Sequence, residues 1–232
     1  LNGKTCLPKD IVKESTLIEL TIEESESLDI EAQNLPLEII YEDEDLIIVN
    51  KDSGMVTHTA VGNFSNTLQN GLLHRFPELK HVPRAGIIHR LDKQTSGILI
   101  IARNLKSQHY LSTLMQSRSI DKKYSSIVSG IVSRDVVIDK SIGRHHVNRK
   151  KMTLREDGKQ AKSIVTVVEV LENSSLLDIE ILTGRTHQIR VHLSSLGNPV
   201  FGDYLYGFKN NRFVKNPKIM EFLKNYDGFA LH

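Results

Sequence analysis

At 232 residues and 39% hydrophobic content the chain can bury a sizeable core, which excludes a disordered or fibrous protein. The single cysteine, Cys6, excludes an internal disulfide and a cysteine-based zinc cluster, and predicts a reducing, cytoplasmic setting. Net charge is only +2, but residues 19–45 hold eleven acidic side chains and no Lys or Arg. The remainder therefore sets 30 basic against 17 acidic residues, an excess that suits a polyanionic partner.

No apolar run exceeds strand length and the N-terminus lacks a basic-then-apolar pattern, so neither a membrane span nor a signal peptide is predicted. Residues 1–20 contain an Asn2-Gly3 hairpin turn followed by a strand from Thr16, which resembles the last hairpin of an S4 RNA-binding domain. Residues 21–36 are acidic and poor in large side chains, and are predicted to be a linker.

The body of the chain runs from 37 to 232. Two β-rich runs, 37–41 and 46–50, flank an acidic turn and predict a hairpin. Leu68, Leu72, Leu73 and Phe76 share a face of a helix over 67–76, which Pro77 and Pro83 interrupt. The apolar runs 87–88 and 98–102 then predict two buried strands around the polar turn Arg90-Leu91-Asp92-Lys93-Gln94-Thr95-Ser96-Gly97. This places the Asp92 carboxylate at a sheet rim between Arg90 and Lys93, in a small-residue turn that a ligand can approach.

A second amphipathic helix spans 105–118, with Leu111, Leu114 and Met115 inward. A strand over 124–129 follows Lys122 and Lys123, and a basic loop contains Arg144, Arg149, Lys150 and Lys151. Strands over 163–170 and 176–182 form another hairpin. In TGRTHQIRVH (183–192), Thr186 is predicted to cap a helix over 187–196 that carries Arg190 and His192. Arg185 opposes the dipole at that helix start unless an anion lies beside it. His187 and His192 are five apart, on different faces of a helix, which argues against a metal pair. A last helix is predicted after an Asn216 cap. Hairpins and helices alternate without a βαβ rhythm, so the fold class is α+β with a mixed, mainly antiparallel central sheet. No phosphate-binding glycine motif stands at a strand-to-helix junction, which weakens nucleotide-cofactor readings.

Three stretches, PRAGIIHRLDKQTSG, the KKY strand and TGRTHQIRVHLSSLGNPVFGDYLYG, resemble the RluA/RluD family of RNA pseudouridine synthases. The resemblance covers 37–232 and leans toward the RluD branch, which acts on a stem-loop of large-subunit ribosomal RNA. It implies the pseudouridine synthase fold, with Asp92 of HRLD as the catalytic carboxylate, Tyr124 against the target uracil, and Arg185 pairing with Asp92. A nearby guanidinium keeps a desolvated carboxylate ionised. The carboxylate would attack C1′ or C6, or remove a sugar proton. Arg90 is expected to fill the space left by a flipped-out base, a transfer that costs a few kcal/mol. His89, Gln188 and Arg190 are expected to line the site, and Arg144, Arg149, Lys150 and Lys151 to hold RNA. Isomerisation is redox-neutral, so no cofactor and no metal are expected, and a monomer is. Family members continue past an LHA-like sequence where this chain stops at Leu231-His232, so a truncated sheet edge and catalytic domain are expected. Action on tRNA or another RNA, a non-catalytic ribosome-assembly protein and an N-glycoside hydrolase are the competing readings.

Overall fold

The computed structural model describes residues 10–14, 16, 17, 19, 30–60, 62–209, 217, 221, 225, 226 and 228–232. The chain divides into a short unit, residues 1–30, and a large one, residues 31–232. In the short unit a turn closes where the Thr16 N–H and hydroxyl both donate to the Lys13 carbonyl. The Asn2-Gly3 hairpin turn, most of the linker and most of the helix after Asn216 lie outside the described residues, and of the strand expected from Thr16 the described residues 16, 17 and 19 are not in strand conformation.

In the large unit, β1 (Glu38–Glu42), β2 (Leu46–Lys51) and β3 (Gly97–Ala102) form an antiparallel sheet in that order. Between β2 and β3 lies α1 (Leu68–Arg75), which begins where predicted because Thr67 and Asn70 cap each other reciprocally. Ile47 and Val49 of β2, Leu99 and Ile101 of β3, and Leu68 and Leu72 of α1 are fully buried together. Each such side chain contributes about 1.5–3 kcal/mol.

Residues 87–88 do not form the expected strand. Arg84, Ala85 and Gly86 all take left-handed φ, and the chain emerges with a single bridge from Ile87 to Ile101. Gly86 is required there: at φ +75, an added Cβ would lie 1.9 Å from the Ala102 carbonyl oxygen. The HRLD segment that follows is irregular backbone laid along the end of β3.

The second half opens with α2 (Leu105–Gln116), capped by Asn104 and Ser107. It continues through β4 (Lys123–Ser129), β5 (Val136–Asp139), the short hairpin β6 (Ile142–Arg144) and β7 (Met152–Leu154), and then β8 (Lys162–Val170), β9 (Ser174–Ile181) and α3 (Gln188–Ser195). A four-stranded antiparallel sheet runs in the order β4-β9-β8-β5, and β6-β7 stands apart as a third. The mainly antiparallel α+β arrangement is as expected, but the pairing is divided among three sheets rather than one. Residues 230–232 pair along β4. Ile189 and Leu193 of α3 pack on Val165, Leu177 and Ile179, while Tyr124 touches both this core and the first. Tyr124 thus sits where the two sheets' cores adjoin, next to the HRLD segment.

Candidate active site

At that junction is a cavity of about 490 Å³, lined by HRLD residues, β4 and the 183–190 segment. His89, Arg90, Asp92, Tyr124, Arg185, Gln188 and Arg190 all face it, so three stretches distant in sequence converge as expected.

The Asp92 turn is clamped from the segment following β2. Thr57 donates its hydroxyl to the Leu91 carbonyl, Ser53 to that of Gln94, and the Gly54 N–H to that of Lys93. The Lys51 ammonium, 1% exposed, donates to the carbonyls of Asp52, Met55 and Lys93 at 2.8, 2.9 and 3.1 Å. Burial pushes its pKa down to about 8, against the pull of Asp52 and Asp92. The sequence reading missed Lys51, Ser53 and Thr57; the signal was a lysine at the end of a strand that otherwise alternates in and out.

The guanidinium paired with Asp92 is not that of Arg185, as expected, but that of Arg190. Arg190 Nη1 donates to Asp92 Oδ2 at 2.8 Å, whereas Arg185 Nε donates to the Gln160 carbonyl. Helical phase explains the correction, because Arg190 lies inside α3 on the face turned to the HRLD turn. Its Nε and Nη2 also grip Asp203, fully buried, at 2.6 and 3.0 Å. The guanidinium is sandwiched between Tyr206 and Phe229, 4.8 and 4.3 Å from the ring centres. Although burial works against its charge, Asp203 and Asp92 keep the Arg190 pKa above its ordinary value.

The α3 start also differs from expectation. His187, not Thr186, is the capping position, at φ 56 with no side-chain cap. Its Nε2 lies 3.8 Å from Asp92 Oδ2 and its Nδ1 2.7 Å from the Tyr206 hydroxyl. Asp203 and Tyr206 were not singled out in the sequence, since FGDYLYG shows neither a helix nor a strand period. His192 is buried, bonded to Ser163 and the Lys140 carbonyl. Gln188 faces the cavity, but its amide is fully committed to Thr183, Arg185, Lys162 and Ser163. It braces the site rather than offering a group to a ligand.

His89 accepts from the Ile100 N–H at Nε2, and burial, with Lys122 adding to it, lowers its pKa to about 4. Burial and the Asp92 charge raise that of Tyr124. Two further cations face the cavity: Lys122, at the start of the KKY strand, and Arg118, at φ 59 just past α2, neither of which the sequence reading placed in the site. Among the described residues, Arg90, Arg118, Lys122 and Arg185 take part in no ion pair. A cavity with one carboxylate and this surplus is built for an anionic ligand.

The predicted RNA-binding residues Arg144, Arg149, Lys150 and Lys151 lie on the β6–β7 hairpin, outside the cavity. They are linked to it through Tyr206, whose hydroxyl accepts from the Met152 N–H and whose ring lies 5.3 Å from Lys151 Nζ. No helix among the described residues is long and apolar enough to cross a membrane.

A carboxylate held by a buried arginine in a cavity lined by cations suits an anionic ligand, and comparison supplies the class of protein. Residues 45–195 match the RNA pseudouridylate synthase family model, so the chain belongs to the RNA pseudouridine synthases, which are isomerases. It is 39% identical to ribosomal large subunit pseudouridine synthase D of Pseudomonas aeruginosa, over 100% of this chain and 73% of that one. It is 38% identical to the protein of the same name from Haemophilus influenzae, over 98% and 71%. The solved structure of human RNA pseudouridylate synthase domain containing 1 superposes with a TM-score of 0.67 at 29% identity, covering 85% of this chain and 76% of its own.

Proposed function

We propose that the protein converts uridine to pseudouridine in large-subunit ribosomal RNA, with Asp92 as the reacting carboxylate. The observation that carries this is the 2.8 Å pair of Asp92 and Arg190 in a cavity lined by cations that, among the described residues, take part in no ion pair. Arg190 holds the Asp92 carboxylate in place through that bond. The ribosomal substrate follows the names of the bacterial relatives, and the cationic rim and β6–β7 hairpin suit a folded RNA.

A uridine leaves its stack and enters the cavity, Arg90 at the mouth takes its place, and Tyr124 packs against the uracil. The C1′–N1 bond breaks, the base turns, and C5 bonds to C1′. Atoms and electrons balance within the substrate, so no cofactor is needed. Apolar walls from Tyr124, Ile189 and Leu231 limit water while the base is free. A single chain supplies Asp92, Arg190 and Tyr124, which suits a monomer. We also read residues 1–20 as the end of an S4-like domain, from their turn-and-strand pattern, and the setting as cytoplasmic, from the lone thiol.

The test is carbodiimide mapping of large-subunit ribosomal RNA transcripts after incubation with the protein and with Asp92→Asn. New pseudouridine stops with the parent alone support the reading. Modification confined to tRNA would overturn the substrate, and release of free uracil would overturn the isomerisation.

A further inference from the structure

Besides Arg190, one other side chain offers a donor toward Asp92. His187 Nε2 lies 3.8 Å from Asp92 Oδ2, beyond hydrogen-bond length, so the carboxylate does not consume its proton. The opposite edge of the ring is fixed. The Tyr206 hydroxyl accepts the Met152 N–H at 2.8 Å and lies 2.7 Å from His187 Nδ1, and we assign the phenol proton to that nitrogen because the Asp92 carboxylate, 3.8 Å from Nε2, favours the imidazole proton on its own side. An imidazole whose Nδ1 accepts carries its proton on Nε2. Tyr206 also stacks edge-on to the ring, 5.6 Å between centres. The backbone of His187 is left-handed, a conformation costly for any residue but glycine, and such strain gathers where a side chain must be aimed. Burial, with Arg190 and Arg90 beside it, outweighs Asp92 and Asp203 and holds the imidazole below its ordinary range. The ring is therefore neutral at pH 7.

We propose that His187 is a catalytic hydrogen-bond donor, whose Nε2–H binds a carbonyl oxygen of the uracil as it leaves the sugar. This rests on the reading of Asp92 as the reacting carboxylate. When the C1′–N1 bond breaks, its electron pair stays with the base and spreads onto O2 and O4, while Asp92 meets the electron deficiency at the sugar. C5 then bonds to C1′, the C5 proton passes to water and N1 takes one from water, so the product has the same atoms and charge as the substrate. His187 keeps its own proton throughout, and its bond is strongest while the base is anionic. Arg190 already directs its Nε, Nη1 and Nη2 to two carboxylates.

The experiment compares single-turnover rates and RNA affinity for the parent, His187→Gly and His187→Gln on a large-subunit ribosomal RNA fragment. Glycine removes the donor without left-handed strain, and should slow the chemical step by about 10²–10³-fold while RNA affinity stays within about threefold. Glutamine, with an N–H of similar reach, should recover at least about tenfold of that loss. A glycine variant within about threefold of the parent rate overturns the proposal, as does a glutamine variant no faster than glycine. In the parent, ¹⁵N resonances of His187 at pH 7 should report the neutral Nε2–H form. The Nδ1–H form or an imidazolium overturns the proposal whether or not any variant folds. A parent that makes no pseudouridine in any RNA would instead sink the reading of Asp92.

Discussion

Asp92 and Arg190, 98 positions apart, meet at 2.8 Å because Asp203 holds the arginine from behind. The planar guanidinium spans two carboxylates, one buried and one facing the cavity. A lysine has no fork with which to do this.

Arg190→Lys should therefore lose both function and stability. It strands the fully buried Asp203 and should cost about 3–5 kcal/mol, read as a fall in the urea midpoint. Asp203→Asn should lower turnover without touching the cavity. A variant at position 190 with parental stability would show that the buried pair does not hold this end of α3.

Asp92→Asn keeps the side chain's shape and one hydrogen bond from Arg190. Turnover should drop on the order of 10⁴-fold with RNA affinity unchanged, measured by single-turnover modification beside filter binding. Retained turnover would place the chemistry elsewhere.

Lys51 links pH to the clamp on the Asp92 turn. With a folded pKa of about 8 against 10.5 for the free side chain, it loses its proton as pH rises through 8 while an unfolded chain still holds one. Between those values the unfolded state binds more protons, so this group favours folding increasingly as pH rises. Activity should move the other way, because the neutral amine has only two protons for three carbonyls. The pH–rate profile should fall above about 8, and Lys51→Met should be slow at every pH and lack that limb.

Arg118 and Lys122 bring positive charge to the cavity and, among the described residues, form no ion pair. Arg118→Ala and Lys122→Ala should each weaken RNA binding and reduce the slope of log affinity against log salt by about 1. An unchanged slope would remove them from the phosphate path.

Gly86→Ala should lower stability by about 3 kcal/mol, a melting shift of about 10 °C, because the added Cβ meets the Ala102 carbonyl at a left-handed φ. A smaller loss, seen by calorimetry, would mean that the end of β3 yields.

Much of this was legible in the chain. The helices α1 and α2 carry their own apolar spacing and their own caps, Thr67 with Asn70 and Asn104 with Ser107. Strands β2, β4, β8 and β9 fell within a residue or two of their predicted bounds. Asp92, Tyr124 and the basic residues of 183–190 were recognisable as one site because their motifs stand in order along the sequence. Illegible were the places where backbone leaves the usual regions, at residues 84–86 and His187, because periodicity reports only regular structure.

The sequence by itself determined the family, the α+β class and the carboxylate at position 92, since those depend on local pattern and residue type. Only the tertiary structure decided which arginine reaches that carboxylate. Arg185 and Arg190 are five residues apart and chemically identical, and the choice lies in the phase of α3, the buried Asp203 behind it and two aromatic faces, all supplied by distant chain. Likewise, His187 is held beside Asp92 only because Tyr206, 19 residues on, folds back against it at 2.7 Å.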